Sequence, residues 1–283
     1  MRVIELICTA SEHLESKGFE NPRLEVEYLL GNVLGMNRLE LYMAYDRPVK
    51  DDERDRFRDI YRRRLQHEPL QHIVGTAAFR ELELKSDRRA LVPRPETEVL
   101  VEHAVNFLRE RVHPRVADLG TGSGVIALSI AHEVQDANIV AVDISQDALD
   151  LASSNARILG LEDRVDFIEG DMLAVLDGME PFDMIVSNPP YVPSGEIPGL
   201  DVEVRDYDPM LALDGGPDGL GYLRRLVGEA HRYIVPGGVL ILECDHRQAE
   251  SLVELALTLE VYCDARIERD LAGMKRLFVT SRV

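Results

Sequence analysis

From Pro95 onward, short apolar segments that predict strands alternate with longer segments whose apolar residues recur every three or four positions. This alternation predicts a parallel sheet covered by helices on both faces. We therefore expect an α/β architecture whose ligands bind at the carboxyl edge of the sheet. The predicted strands cover residues 115–119, 138–143, 165–169, 182–187, 238–243 and two final strands ending at 277–280, and the predicted helices cover residues 124–133, 146–159, 218–234 and 247–257.

The first part of the chain has a different pattern. Its apolar residues keep helical spacing from Val3 to about Leu70, with breaks at glycine and proline residues, which predicts four or five short helices. Short strands predicted at 73–75 and 82–85 would pair as a hairpin. The predicted organisation is a helical domain over residues 1–72, a β-hairpin linker over 73–95 and an α/β domain over 96–283.

A glycine-rich turn follows the first predicted strand of the α/β domain. The sequence from Asp118 to Gly124 reads D-L-G-T-G-S-G and leads directly into a helix, so the backbone can approach a ligand closely at a helix N-terminus. Val125 stands where the dinucleotide fingerprint G-x-G-x-x-G requires glycine, which disfavours pyrophosphate binding. The alternative role of these glycines is tight packing between strand and helix.

Acidic residues follow the next two predicted strands. Asp143 ends the second strand, where a carboxylate can bind both hydroxyls of a ribose. Asp171 and Met172 follow the third strand and offer a carboxylate and a soft apolar side chain, which suit an adenine amino group and ring. Asp143 alone can instead be a helix N-cap or turn residue. Together these strand ends favour a nucleoside site over a nucleotide site.

The fourth predicted strand is followed by Asn188, Pro189, Pro190 and Tyr191. Two successive prolines lack NH donors and end the strand, so the nearby carbonyls stay outside the sheet ladder. The side-chain oxygen of Asn188 and the carbonyl of Pro189 can then accept both hydrogens of a planar amino group, with Tyr191 beside it. A proline pair that merely ends a strand is the alternative. A loop as long as 188–217 is usually functional.

Composition restricts the classes of partner. The 283-residue chain carries 51 acidic and 32 basic residues, a formal net charge of −19, which makes broad binding to a nucleic-acid backbone unfavourable. For the arginine-rich segment 54–64 we favour a solvated helix face over a contact with RNA or an acidic protein.

Three cysteines without metal-ligand spacing support neither a disulfide framework nor a metal site. With no signal-peptide pattern or membrane-spanning run, we expect a cytoplasmic protein without a membrane partner.

These residues resemble those of class I S-adenosylmethionine-dependent methyltransferases, and more narrowly the HemK-type family that methylates the glutamine side-chain amide of peptide chain release factors. The resemblance covers nearly the whole chain. R-P-E-T distinguishes this family from amino-group DNA methyltransferases, which share N-P-P-Y, and from a relative that acts on a ribosomal protein. The motifs that carry the resemblance are H-E-P-L-Q at 67–71, P-R-P-E-T-E at 93–98, D-L-G-T-G-S-G at 118–124, N-P-P-Y at 188–191, D-Y-D-P at 206–209, L-A-L-D-G-G at 211–216 and D-L-A-G at 270–273.

The resemblance implies a Rossmann-like sheet, mostly parallel with its last strand antiparallel, in a protein that we expect to be a monomer. It implies methyl transfer from S-adenosyl-L-methionine, with S-adenosyl-L-homocysteine as product, to the glutamine N5 of a Gly-Gly-Gln motif. Asn188, Pro189 and Tyr191 would be catalytic and would receive the glutamine together with Pro190, while residues 1–72 would recognise the release factor. The residues implied to bind the cofactor are Gly120, Thr121, Gly122, Ser123, Gly124, Asp143, Asp171, Met172 and Asn188.

The chain departs from the family pattern at two positions near the implied adenine site. Met172 stands where an aromatic or larger apolar residue is more frequent, and Asp245 stands where glycine is commoner. A methyltransferase acting on adenine amino groups of nucleic acid stays open, because that amine has the same planar chemistry. So does glutamine methylation in another translation protein. A cofactor-binding regulatory protein would not need Asn188 and Tyr191, and a nicotinamide oxidoreductase lacks its third fingerprint glycine.

Overall fold

A computed structural model describes residues 1–283, which cluster into two compact units, Met1–Thr76 and Ala77–Val283. The first unit is helical, and its core consists of apolar side chains at helical spacing, such as Ile7, Leu14 and Leu30. Its helices are α1 (Val3–Ser16), α2 (Pro22–Leu34), α3 (Arg38–Met43), α4 (Asp51–Leu65) and α5 (Leu70–Val74).

The strand predicted over residues 73–75 is wrong. Residues up to Val74 belong to α5, and Gly75 ends this helix in the left-handed conformation, with φ of 86°. Glycine is the residue that most readily ends a helix in this way. The hairpin instead pairs β1 (Thr76–Phe79) with β2 (Leu82–Lys85). A short Ile-Val-Gly run fits a helix end as well as a strand, so the pattern alone could not separate the two.

The arginine-rich segment lies in helix α4, where four of its arginines pair with aspartates of the same helix. Nη2 of Arg54 lies 2.8 Å from Oδ1 of Asp51, and Nη1 of Arg58 lies 2.9 Å from Oδ1 of Asp55. Ion pairs of this exposed kind contribute little to stability and keep the helix face hydrated. The other pairs of this type are Arg56–Asp52 and Arg62–Asp59. The pairing agrees with the predicted solvated face for these four arginines, whereas Arg63 pairs with Glu68 and the buried Arg64 pairs with Glu25 of α2.

The second unit alternates strands and helices beyond the hairpin, as predicted. None of the helices in the chain has the length and apolar character that crossing a membrane requires. The strands are β3 (Arg115–Leu119), β4 (Asn138–Asp143), β5 (Val165–Glu169), β6 (Phe182–Ser187), β7 (Ile234–Glu243), β8 (Tyr262–Arg269) and β9 (Lys275–Arg282), and the helices are α6 (Pro95–Leu108), α7 (Val125–Glu133), α8 (Gln146–Leu159), α9 (Val202–Tyr207), α10 (Met210–Leu213), α11 (Gly221–Glu229) and α12 (Ala249–Thr258).

These strands form one seven-stranded sheet with the order β5-β4-β3-β6-β7-β9-β8. The pairs from β5 to β7 are parallel, and β9 is antiparallel to β7 and β8. This confirms the predicted mostly parallel sheet with an antiparallel last strand. Neighbouring residues of β3, Val116 and Ala117, belong to separate apolar clusters, because successive side chains point to opposite faces of the sheet. Both faces are therefore buried.

Helix α11 is shorter and β7 is longer than predicted. The helix predicted over residues 218–234 ends at Glu229, and β7 begins at Ile234. Ile234 pairs with Phe182, after which the register shifts across the V-P-G-G sequence that starts at residue 235. The proline and glycines therefore form an irregularity inside the strand rather than a turn before it. Both arrangements suit these residue types, which is why the boundary was misplaced.

Candidate active site

A cleft lies where β3, β4, β5 and β6 end at the carboxyl edge of the sheet. The chain order reverses beside β3, since β4 lies on one side of it and β6 on the other, and ligands bind at such points in open α/β sheets. The predicted residues Gly124, Pro189 and Tyr191 are not part of the lining. The predicted residues that line the cleft are Gly120, Thr121, Gly122, Ser123, Asp143, Asp171, Met172, Asn188 and Pro190.

The turn after β3 leaves its first two glycines open to the cleft and packs the third. Gly120 and Gly122 have φ of 74° and 57°, and a Cβ added at Gly120 would meet no atom within 4 Å. Gly124 caps α7 with φ of 82°, and a Cβ added there would lie 3.1 Å from that of Ala152. Residues other than glycine rarely adopt this left-handed backbone conformation. Gly120 and Gly122 thus leave room for a ligand, whereas Gly124 has the packing role.

A buried carboxylate holds this turn in place. Oδ2 of Asp118 accepts hydrogen bonds from the Thr121 hydroxyl at 2.7 Å and from the Ala127 amide at 3.1 Å. Burial raises the pKa of Asp118 to about 7. Oδ1 of Asp118 and the hydroxyl of Ser123 are buried without a hydrogen-bond partner in the protein. Buried polar atoms nearly always have partners, and Ser123, unlike Asp118, lines the cleft, so the Ser123 hydroxyl marks a position that favours a polar ligand group.

Asp143 connects the end of β4 to the glycine turn. One carboxylate oxygen accepts a hydrogen bond from the Gly122 amide at 2.8 Å, and the other accepts one from the Ser145 amide at 2.9 Å. The N-cap of α8 is Ser145, so Asp143 does not have that role. A carboxylate has about four acceptor positions, which leaves each oxygen able to accept a further hydroxyl group from the cleft.

Asp171 is paired with an arginine that is not among the predicted site residues. Both carboxylate oxygens of Asp171 lie 2.7 Å from Nη1 of Arg225. Met172 beside it is buried and has φ of 47°, an unusual value for a residue with a side chain. Both Asp171 and Met172 line the cleft. An adenine amino group at Asp171 would share the carboxylate with Arg225.

Strand β6 ends at Ser187, directly before the residues predicted to receive the amide. The Ser187 hydroxyl donates to the Leu119 carbonyl at 2.5 Å, which ties the ends of β6 and β3 together. Asn188 is half-buried, lines the cleft, and donates from Nδ2 to the hydroxyl oxygen of Thr97 at 3.2 Å. The two prolines that follow are buried. The asparagine amide is therefore held from one side and reaches the cleft.

Glu243, the last residue of β7, is 1% exposed and binds two hydroxyl groups near this strand end. It accepts hydrogen bonds from Thr97 at 2.7 Å and from Tyr191 at 3.1 Å. Burial raises the pKa of Glu243, whereas these hydrogen bonds and the charge of Arg276 act in the opposite direction. Burial also raises the pKa of Tyr191, so its hydroxyl stays protonated and donates.

Thr97 and Glu243 were not among the residues predicted for the site. Thr97 lies in the R-P-E-T motif, and Glu243 ends a predicted strand at the same edge as the other site residues. Those two features were signals that both residues lie near the cleft. Their contact could not be read from the sequence, because no periodicity relates positions so far apart.

The segment before α6 is fixed to the long loop after β6. The buried Asp208 carboxylate accepts hydrogen bonds from the Arg94 guanidinium at 2.7 Å and from the Val92 amide at 3.2 Å. Burial raises the pKa of Asp208. Arg94 lines the cleft together with Pro209 and Leu211 of the loop. The long loop thus forms part of the cleft wall, and it contains α9 and α10 rather than being irregular throughout.

Solved structures with a similar fold are methyltransferases. The hMettl16 catalytic domain in complex with MAT2A 3′UTR hairpin 6 aligns with a TM-score of 0.60 at 12% identity, over 75% of this chain and 80% of that chain. A methyltransferase from Pyrococcus furiosus aligns with a TM-score of 0.52 at 19% identity, over 72% and 90% of the two chains. At these identities the likeness shows the fold alone. Together with the sheet order, it defines the class I methyltransferase fold.

Sequence comparisons identify the family within this class. Residues 5–75 match the PrmC N-terminal domain, and residues 95–198 match the methyltransferase small domain. The release factor glutamine methyltransferase of Bradyrhizobium diazoefficiens is 42% identical over 271 residues, which are 95% of this chain and 91% of that protein. That of Deinococcus radiodurans is 42% identical over 282 residues, 100% and 99% of the two chains. The chain belongs to the release factor glutamine methyltransferase family, which confirms the resemblance seen in its motifs.

Gly215 tests how far the site depends on close backbone packing. A Cβ added there would lie 2.8 Å from the Pro190 carbonyl oxygen and 2.8 Å from Cα of Tyr191. We expect Gly215→Ala to displace the N-P-P-Y segment, to destabilise the fold by about 1–3 kcal/mol and to lower methyltransferase activity. Gly195→Ala is the matched control, because its added Cβ meets no atom within 4 Å. Thermal unfolding and turnover measure the two effects, and equal behaviour of both variants would contradict this packing role.

Proposed function

We propose that this protein transfers a methyl group from S-adenosyl-L-methionine to the side-chain amide nitrogen of the glutamine in the Gly-Gly-Gln motif of peptide chain release factors. As a member of its family, it methylates a release factor glutamine. The observation that carries the detailed proposal is the position of the Asn188 amide at the same cleft as the glycine turn and Asp143. That arrangement combines an acceptor for a carboxamide with a site for a nucleoside.

The residues of the cleft fit S-adenosyl-L-methionine. The open backbone at Gly120 and the unpartnered hydroxyl of Ser123 suit the charged groups of its methionine portion. Asp143 retains acceptor capacity for the ribose hydroxyls, and Met172 suits the adenine ring. When bound, this cofactor supplies an electrophilic methyl group on a sulfonium whose departure needs no acid.

Asn188, which lines the cleft, has the main task in catalysis, which is to orient a weak nucleophile. The backbone carbonyl of the adjacent Pro189, a buried residue outside the cleft lining, assists it. The lone pair of an amide nitrogen is delocalised into its carbonyl group. Acceptance of both amide hydrogens by Asn188 Oδ1 and the Pro189 carbonyl fixes the nitrogen and stabilises the positive charge that grows on it. The additional proton leaves to water after transfer, so no base is needed beforehand. Two observations are consistent with a mechanism without a base. The cleft lining contains no histidine, and burial raises the pKa of Tyr191, so its hydroxyl stays protonated.

Further parts of the proposal concern recognition and cellular context. The helical domain, predicted over residues 1–72, recognises the release factor, and the protein works as a monomer. The predicted linker over 73–95, which contains the β1–β2 hairpin, joins this domain to the catalytic domain over 96–283. We place it in the cytoplasm, because release factors act on ribosomes. Methylation of nucleic-acid bases is not favoured, since the net charge is −19 and four of the α4 arginines pair with aspartates of the same helix.

Labelled-methyl transfer to a purified release factor tests the function directly. We expect the wild-type protein to label the release factor in the presence of S-adenosyl-L-methionine carrying a labelled methyl group. A release factor whose Gly-Gly-Gln glutamine is replaced by alanine is the matched control and should stay unlabelled. Label on both substrates would reject the proposed target, and label on an oligonucleotide would favour the base methyltransferase.

Asn188→Ala tests the acceptor role of the asparagine. The substitution removes an interaction that acts in the transition state, so we expect kcat to fall by about 10²–10³-fold. The dissociation constant of the cofactor should change much less. Steady-state kinetics and calorimetry measure these quantities, with the exposed Asn138→Ala as control. Unchanged kcat in Asn188→Ala would remove this residue from the mechanism.

Asp143→Ala tests the ribose contact. The variant loses the acceptor for the hydroxyls and also the hydrogen bonds that hold the glycine turn. We expect cofactor binding to weaken by about 1.5–3 kcal/mol, measured by calorimetry. Asp147→Ala, an exposed aspartate on α8, should bind the cofactor like the wild type. If Asp143→Ala binds as tightly as this control, the ribose assignment is incorrect.

A further inference from the structure

Three side chains from separate parts of the chain form a hydrogen-bonded connection behind Asn188. Thr97 lies on α6, Glu243 ends β7 and Asn188 follows β6. The Thr97 hydroxyl oxygen is 2.7 Å from Oε2 of Glu243 and 3.2 Å from Nδ2 of Asn188. Thr97 and Glu243 are 2% and 1% exposed. Water therefore has little access to the contact between Thr97 and Glu243, and these two groups depend on partners in the protein for their hydrogen bonds.

The chemistry of these groups gives the connection a direction. A carboxylate only accepts, and a hydroxyl has one hydrogen to donate. When Thr97 donates that hydrogen to Glu243, its oxygen can only accept at the contact with Asn188. The part of the Asn188 amide that faces Thr97 must then be the NH2 group, as the 3.2 Å contact of Nδ2 has it. Oδ1 of Asn188 therefore forms no hydrogen bond with Thr97.

The surroundings of Glu243 support its role as the acceptor at the end of this connection. Its other oxygen, Oε1, accepts from the hydroxyl of Tyr191 at 3.1 Å. Burial raises the pKa of Glu243, but the hydrogen bonds from Thr97 and Tyr191 and the positive charge of Arg276 of β9 act in the opposite direction and favour the ionised carboxyl. Each oxygen of Glu243 therefore accepts a hydrogen bond from one hydroxyl group. Glu243 thus holds two residues of the N-P-P-Y segment, Tyr191 directly and Asn188 through Thr97.

We propose that Thr97 and Glu243 are positioning residues that fix the Asn188 amide with its oxygen available to the substrate. The inference rests on the proposed function, in which Asn188 Oδ1 accepts a hydrogen of the glutamine amide. A flipped Asn188 would present NH2 to another NH2 group, and this contact cannot form a productive hydrogen bond. The polarity that Glu243 imposes on Thr97 thus decides whether the site recognises an amide donor.

A set of substitutions at Thr97 tests this proposal. Thr97→Val keeps the shape of the side chain and removes its hydroxyl, whereas Thr97→Ser keeps the hydroxyl. We expect Thr97→Val to lower kcat for release factor methylation roughly a hundredfold with a smaller change in KM, and Thr97→Ser to restore most of it. Thr280→Val is the matched control, since it removes a buried threonine hydroxyl of β9 that bonds the Cys263 carbonyl.

A double-substitution cycle separates positioning from a structural role. If Thr97 acts through Asn188, then Thr97→Val should have almost no further effect on kcat in an Asn188→Ala background. If the two substitutions lower kcat independently, so that their factors multiply in the double variant, the proposal is overturned. A Thr97→Val enzyme with wild-type kcat would also overturn it. Should Thr97→Val not fold, Thr97→Ala replaces it in the same cycle. A wild-type protein that labels no release factor would overturn the proposed function itself, a result distinct from either outcome at Thr97.

Discussion

The parallel pairing of β4, β3 and β6 is the constraint on which the rest of the site depends. In parallel strands the carboxyl ends meet at one edge, so the turns that follow Leu119, Asp143 and Ser187 start close together. Backbone hydrogen bonds then join the turns, because the amides of residues 120 and 121 both donate to the Val142 carbonyl. The Gly170 amide donates to the Asp143 carbonyl in the same way. A binding surface results from residues that the sequence keeps far apart.

Sequence patterns predicted the strands of this sheet well and the side-chain contacts between distant segments poorly. The strands at 115–119, 138–143, 165–169 and 182–187 match the structure, because strands buried on both faces are continuous apolar runs. Errors fell where turn residues allow two conformations, as at Gly75 and in the V-P-G-G sequence of β7. Residues at strand ends were found because a motif marks each end. The pair Asp171–Arg225 and the Thr97–Glu243 contact were not, since only tertiary packing brings those positions together.

The start of α7 explains in physical terms why the cleft suits a nucleoside better than a dinucleotide. Gly124 is packed as the helix cap, and the next residues, Val125 and Ile126, line the cleft with apolar side chains. A pyrophosphate needs close approach of backbone NH groups at this position, which side chains of this kind prevent. The polar atom of the cleft lining that lacks a partner is instead the hydroxyl of Ser123. A charged group of modest size fits beside it.

Buried carboxylates connect the parts of the site that the sheet does not control. Burial raises the pKa of Asp118, Asp208 and Glu243, because the charged form of a buried carboxyl loses its hydration. Each one also fixes a different segment, namely the glycine turn, the wall near Arg94, and the N-P-P-Y segment. A stable fold does not require such groups, because apolar residues fill a core at lower cost. In the proposed mechanism, donors and acceptors that are already fixed need not reorganise when charge develops on the amide nitrogen.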